Sequence, residues 1–66
     1  MATRYLSKEE QEIAIAAAVM RRVIHGWELN AACEDVAYIY GETLSTVKWL
    51  YIEHEQSAAL ILNQEI

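Results

Sequence analysis

From Gly41 onward, apolar residues recur at helical spacing on two sides of one segment, and a chain of 66 residues has room to bury only one of them. The first stripe is Val47, Leu50, Tyr51, His54, Ala58 and Ile61, at offsets 0, 3, 4, 7, 11 and 14, the pattern of a helix with one buried face. The second is Trp49, Ile52, Gln56 and Leu60, at offsets 0, 3, 7 and 11, roughly opposite. One stripe closes the domain and the other asks for a partner. A core this small is marginal alone, and the apolar fraction of 55% exceeds the usual range of about 45–50%. Both observations predict a self-associating chain, with a dimer as the first expectation.

Punctuation supplies the rest of the organisation. Proline is absent, and Gly26 and Gly41 are the only glycines. Residues 1–66 therefore read as a single all-α domain, a compact three-helix bundle with helices at about 8–25, 31–40 and 44–63, the last of them long. The first helix opens at Ser7, where Ser-Lys-Glu-Glu fits a capping box between the Ser7 hydroxyl and Glu10. Glu9, Glu10 and Glu12 lie near the positive end of its dipole, and Arg21, Arg22 and His25 near the negative end. Gly26 suits the left-handed turn that follows. The inward set reads Ile13, Ala17, Met20 and Ile24, widened by Ala16, Val19 and Val23, with Ile15 off that face. Alanines at 14, 16, 17 and 18 allow a second helix to approach closely. The second helix is expected to start from Asn30 as N-cap, to turn Ala32, Cys33, Val36, Ile39 and Tyr40 inward, and to stop at Gly41. Thr43 or Ser45 caps the third.

The segment from Cys33 to Ile52 carries a further pattern. Val36 and Ala37 hold the apolar and small positions of one helix, Tyr40 the apolar position before a turn, and Gly41 the turn itself. Val47 and Leu50 hold the buried positions of a following helix that opens Ser45-Thr46-Val47-Lys48-Trp49-Leu50. In this it resembles the helix-turn-helix family of DNA-binding domains, over about twenty of the 66 residues. The resemblance implies a dimeric transcription regulator with Thr43, Ser45 and Lys48 as its nucleic-acid contacts. Three departures matter. Glu42 stands where an apolar residue normally follows the turn glycine, and the outward positions include Leu44, Trp49 and Ile52 in place of polar or basic side chains. Glu53 and Glu55 then bring acids toward the phosphates.

Five basic against ten acidic side chains give a formal charge of −5. That opposes loose association with nucleic acid or anionic membranes and favours a basic partner face. Arg4, Lys8, Arg21 and Arg22 gather in the first third, while acids spread along the chain. No stretch approaches the ~18 uncharged apolar residues that span a membrane, and residues 1–12 lack the basic start and apolar run of a signal peptide. The lone Cys33 excludes an internal disulfide and a cysteine-rich zinc site. The expectation is a soluble, cytoplasmic chain with no membrane contact.

No constellation supports a catalytic, cofactor or metal role, and none is expected. His25 reads as a helix-end residue compensating the dipole, and His54 as a hydrogen-bonded core residue. Cys33 reads as a small buried side chain whose neighbours Glu34 and Asp35 raise its pKa, the wrong direction for a nucleophile. Glu53, His54 and Glu55 are consecutive, so on a helix they diverge and cannot hold one ion. Arg21 and Arg22 fit either a solvated helix end or contact with an acidic partner.

The functional expectation is therefore a small non-enzymatic regulatory or inhibitory protein. It binds another protein through an acidic helical surface whose anchors are Trp49, Ile52, Leu60, Tyr38 and Trp27. Accessory proteins of phages and mobile elements are a setting that suits a domain of this size. The helix-turn-helix regulator and a purely structural assembly subunit are the alternatives. Trp49 itself fits the shared core of a dimer, the contact with a distinct partner, or plain exposure.

Overall fold

The computed structural model describes residues 7–64, which places Arg4 and the start of the chain outside the described residues. Among those residues there is no strand. The four helices are α1 (Lys8–Ile24), α2 (Leu29–Tyr40), α3 (Leu44–Glu53) and α4 (Glu55–Gln64).

The caps explain the boundaries. At the start of α1 the Glu10 N–H donates to Ser7 Oγ at 3.1 Å and the Ser7 N–H to Glu10 Oε1 at 2.9 Å, which completes the capping box. At its end Gly26 adopts φ 101°, and the Gly26 and Trp27 N–H groups donate to Val23 and Arg22 carbonyls at 3.0 Å each. This pair of bonds is the Schellman closure, and His25 Nδ1 adds a third, to the Arg21 carbonyl at 2.7 Å. The turn reverses the chain so quickly that Asn30 already lies inside the first turn of α2. Glu28 is the N-cap in its place, its Oε1 accepting from the Ala31 N–H at 3.2 Å. Gly41, at φ 71° and ψ 32°, ends α2, with the Glu42 N–H bonded to the Ala37 carbonyl at 2.9 Å. Thr43, rather than Ser45, caps α3 by accepting from the Thr46 N–H at 3.2 Å.

The long third helix of the sequence reading is two helices, parted at His54, whose φ −111° and ψ 23° leave the helical region. Neither glycine nor proline marks the break. The His54 N–H still reaches the Leu50 carbonyl and the Ala58 N–H the His54 carbonyl, both at 2.9 Å. The two pieces follow one another along α1. Thr46 and Leu50 share a depression with Glu12 and Ile15, His54 meets Glu12, and Ala58 and Ile61 pack on Ala16, Ala17 and Met20. The inward stripe therefore keeps its register through the break.

α1 is the central helix, and this corrects its predicted face. Five consecutive residues, Ile15 to Val19, are buried. Ile15, Ala18 and Val19 meet Ala32, Cys33, Val36 and Ala37 of α2 and Val47 and Leu50 of α3. Ala16 and Ala17 take Ala58 of α4 on another side. A helix packed by three others has no single buried stripe, which is why Ile15 is inside. Ile24 is exposed because it lies beyond the packed length, and Ile39 and Tyr40 are exposed in the last turn of α2 for the same reason. Leu44, expected to point outward, packs against the core and supplies the apolar plug that Glu42 does not. Full burial of side chains such as Ile15 or Val47 stabilises the fold by roughly 1.5–3 kcal/mol each. No polar residue is buried among the described residues.

Candidate protein-interaction surfaces

The core is made of small and medium side chains, and the largest ones lie outside it. On the outer side of α3 and α4, Trp49, Ile52 and Leu60 are 68%, 65% and 62% exposed. Ser45, Lys48, Trp49 and Ile52 line a shallow groove of about 250 Å³ there. Leu60 is exposed on α4, on the far side of the break at His54.

A second surface lies on α2. Tyr38 is 88% exposed, with Glu34 one helical turn before it and Glu42 just past the end of the helix, both exposed. The Glu34 carboxylate beside this phenol makes the surface acidic and aromatic. Trp27 stands apart from both. Its ring lies 5.7 Å from the Arg22 guanidinium carbon, a cation–π contact. Arg22 is itself held by Asp35, Nε to Oδ2 at 2.9 Å, and donates through Nη1 to the Ala18 carbonyl at 3.0 Å. Arg22 is thus an internal clasp between α1 and α2 rather than a freely solvated helix end. A sequence separation of 13 left no local signal for it.

The residues weighed for chemistry are placed as follows. Cys33 is buried, and burial is what pushes its thiol pKa up, with Lys48 opposing and Glu28 adding to the rise. The neighbours named from sequence, Glu34 and Asp35, are not the cause. Tyr51 is raised too, by burial first and then by Glu55 and Cys33. His54 is not the hydrogen-bonded residue expected. Its Nε2 is buried without a hydrogen-bond partner, although Glu12 Oε1 lies 3.4 Å away, outside hydrogen-bond geometry. Among the described residues no three His, Cys, Asp or Glu side chains converge.

For DNA contact, Thr43 has its hydroxyl engaged twice, as the cap and as donor to Thr46 Oγ1 at 2.9 Å. Ser45 is exposed and Lys48 partly so, and both share their groove with Trp49 and Ile52. A larger depression of about 310 Å³ between α1 and α3 has Lys8, Glu12 and Glu42 among its lining and Ile15 and Leu50 at its base. No described helix is long and apolar enough to cross a membrane. Compared with family models, curated proteins and solved structures, the chain shows no match.

Proposed function

We propose that this chain is a non-enzymatic binding module that acts on another protein, regulating or inhibiting it by covering part of its surface. The observation that carries this reading is where the large side chains lie. Ile15, Leu50, alanine, valine and cysteine fill the interior and no described aromatic side chain is fully buried, while Trp49, Ile52, Leu60 and Tyr38 stand in solvent. Contiguous apolar surface of that kind is costly to keep exposed and marks interaction sites, and aromatic side chains dominate the energetics of such contacts. Tyr38, with the exposed Glu34 one helical turn before it, is the anchor suited to a basic partner, in keeping with the formal charge of −5.

The test is affinity capture from a source-cell lysate with the wild-type chain and with Tyr38→Ala and Trp49→Ala, each with and without nuclease. The expected result is a protein retained after nuclease treatment by the wild type and lost in at least one variant, with helicity and melting temperature unchanged. Unfolding of both variants, or capture that vanishes with nuclease, defeats the reading.

A second reading is favoured by one observation, the α2–Gly41–α3 arrangement with Ser45 and Lys48 on the outer side of α3. It makes the chain a helix-turn-helix DNA binder. Duplex binding that weakens steeply with salt and depends on Ser45 and Lys48 is its signature; salt-insensitive or absent binding removes it.

A further inference from the structure

The depression between α1 and α3 joins an apolar floor to charged side chains that have nothing to bind. Ile15 and Leu50, both buried, form the floor. Glu12 of α1 and Glu42 of the α2–α3 turn reach it from two different elements, and Lys8 lines it at the start of α1. Among the described residues, the Glu42 and Lys8 side chains make no hydrogen bond or ion pair. Glu12 is held more tightly. Its side chain is 28% exposed, its carboxylate accepts no hydrogen bond among the described residues, and the His54 Nε2 that lies 3.4 Å away is itself buried without a partner. A carboxylate that has given up water without gaining a donor is kept there at a cost that a bound cation relieves.

We propose that this depression takes a single arginine side chain of the partner protein, its aliphatic stem on Ile15 and Leu50 and its guanidinium toward Glu12 and Glu42. This rests on the reading that the chain acts by binding another protein, and it names the chemistry of one contact. Charge selects a cation, because two carboxylates face one ammonium in a chain of formal charge −5. Size selects a side chain: about 310 Å³ lies at the lower end of the ~300–1,000 Å³ of small-molecule sites. A guanidinium fits better than an ammonium, since its planar fork of five donors can serve two carboxylates and it leaves water more readily.

Lys8 makes the choice of ligand testable by sign. It lies one helical turn before Glu12 on the same helix, and both line the depression. A bound guanidinium is repelled by Lys8, whereas a phosphate or carboxylate is held by it and repelled by Glu12 and Glu42. Removing the Lys8 charge therefore strengthens arginine and weakens any anionic ligand. The depression shares no lining residue with the groove beside Trp49, so its charges can be changed without touching that aromatic anchor.

The experiment titrates the full chain with N-acetyl-arginine amide at low ionic strength and follows the methyl NMR signals of Ile15 and Leu50, with the citrulline analogue as the uncharged isostere. Arginine is expected to give saturable shifts with a Kd of the order of millimolar, and citrulline none. Glu12→Gln and Glu42→Gln should each weaken binding about fivefold, and Lys8→Gln should tighten it about twofold. Melting followed by circular dichroism checks that each variant keeps the fold; Glu42 is exposed, so its variant serves even where Glu12→Gln disturbs the contact with His54. No saturable shift, an equal response to citrulline, indifference to both glutamates, or weaker binding by Lys8→Gln overturns the proposal. A chain that binds arginine through Glu12 and Glu42 yet captures no protein keeps the site and removes the protein-binding reading. Capture that is unchanged in both glutamate variants, with no response to arginine, does the reverse.

Discussion

The two sides of α1 are packed by different means. Toward α2 and α3 it presents Ile15, Ala18 and Val19 to Val36, Val47 and Leu50, a cluster of branched side chains drawn from three helices. Toward α4 it presents Ala16 and Ala17 to Ala58, a seam whose larger members, Met20 and Ile61, are only partly buried. Burial energy scales with apolar area, so the first side holds most of the stability and the second holds α4 mainly by closeness of fit. The difference separates folding from display. Three helices supply the branched core, and the fourth lies along α1 on the alanine seam.

The largest expected effect lies on the branched side. Leu50→Ala removes a buried side chain shared by all three helices at a cost of about 2–5 kcal/mol. In a domain this small that is a large share of the total, so thermal denaturation followed by circular dichroism should show a chain melted or nearly so at physiological temperature. On the alanine seam, Ala58→Leu forces bulk into a fully buried position and costs about 1–3 kcal/mol. Hydrogen exchange should show α4 amides losing protection while those of α2 keep theirs. Uniform loss across all helices would break the comparison, because the seam would then be part of one cooperative core.

A smaller effect is expected at Gly41. A Cβ there meets nothing within 4 Å, so Gly41→Ala costs only the backbone strain of φ 71°, about 1–2 kcal/mol. It should lower the melting temperature without altering which amides are protected. The smallest is an alkaline effect confined to the branched side. Burial raises the Cys33 and Tyr51 pKa values, so the folded chain holds these protons more tightly than the unfolded one. Stability is fully present below the unfolded thiol value of ~8.5 and declines as pH rises through it and toward the unfolded phenol value of ~10. Urea titrations across that window should show the decline, and Cys33→Ala should remove its lower part.

The same division marks what the sequence made legible. Local signals carried through: the Ser7–Glu10 box, the two glycine turns, and both stripes after Gly41, because each depends on residues within a few positions. What failed depends on tertiary company. Periodicity puts Ile15 outside because it grants one buried face to a helix that three others surround. Leu44 reads as outward when the plug is expected directly after the turn glycine, two residues too early. The break at His54 has no glycine or proline to announce it, and the Arg22–Asp35 clasp joins residues that only the Gly26 turn brings together. Of the interface anchors, Trp49, Ile52, Leu60 and Tyr38 are exposed as the patterning implied, while Trp27 is 44% exposed and engaged by Arg22.

Neither tryptophan belongs to the core: Trp27 lies under Arg22 beside the α1–α2 turn, and Trp49 stands on the outer face of α3. Intrinsic fluorescence of this protein is therefore a report on its surface. Emission should shift when a face is covered, and with Trp27→Phe or Trp49→Phe each region can be watched alone. Optical titration can then tell which of them a given ligand reaches, without any attached dye.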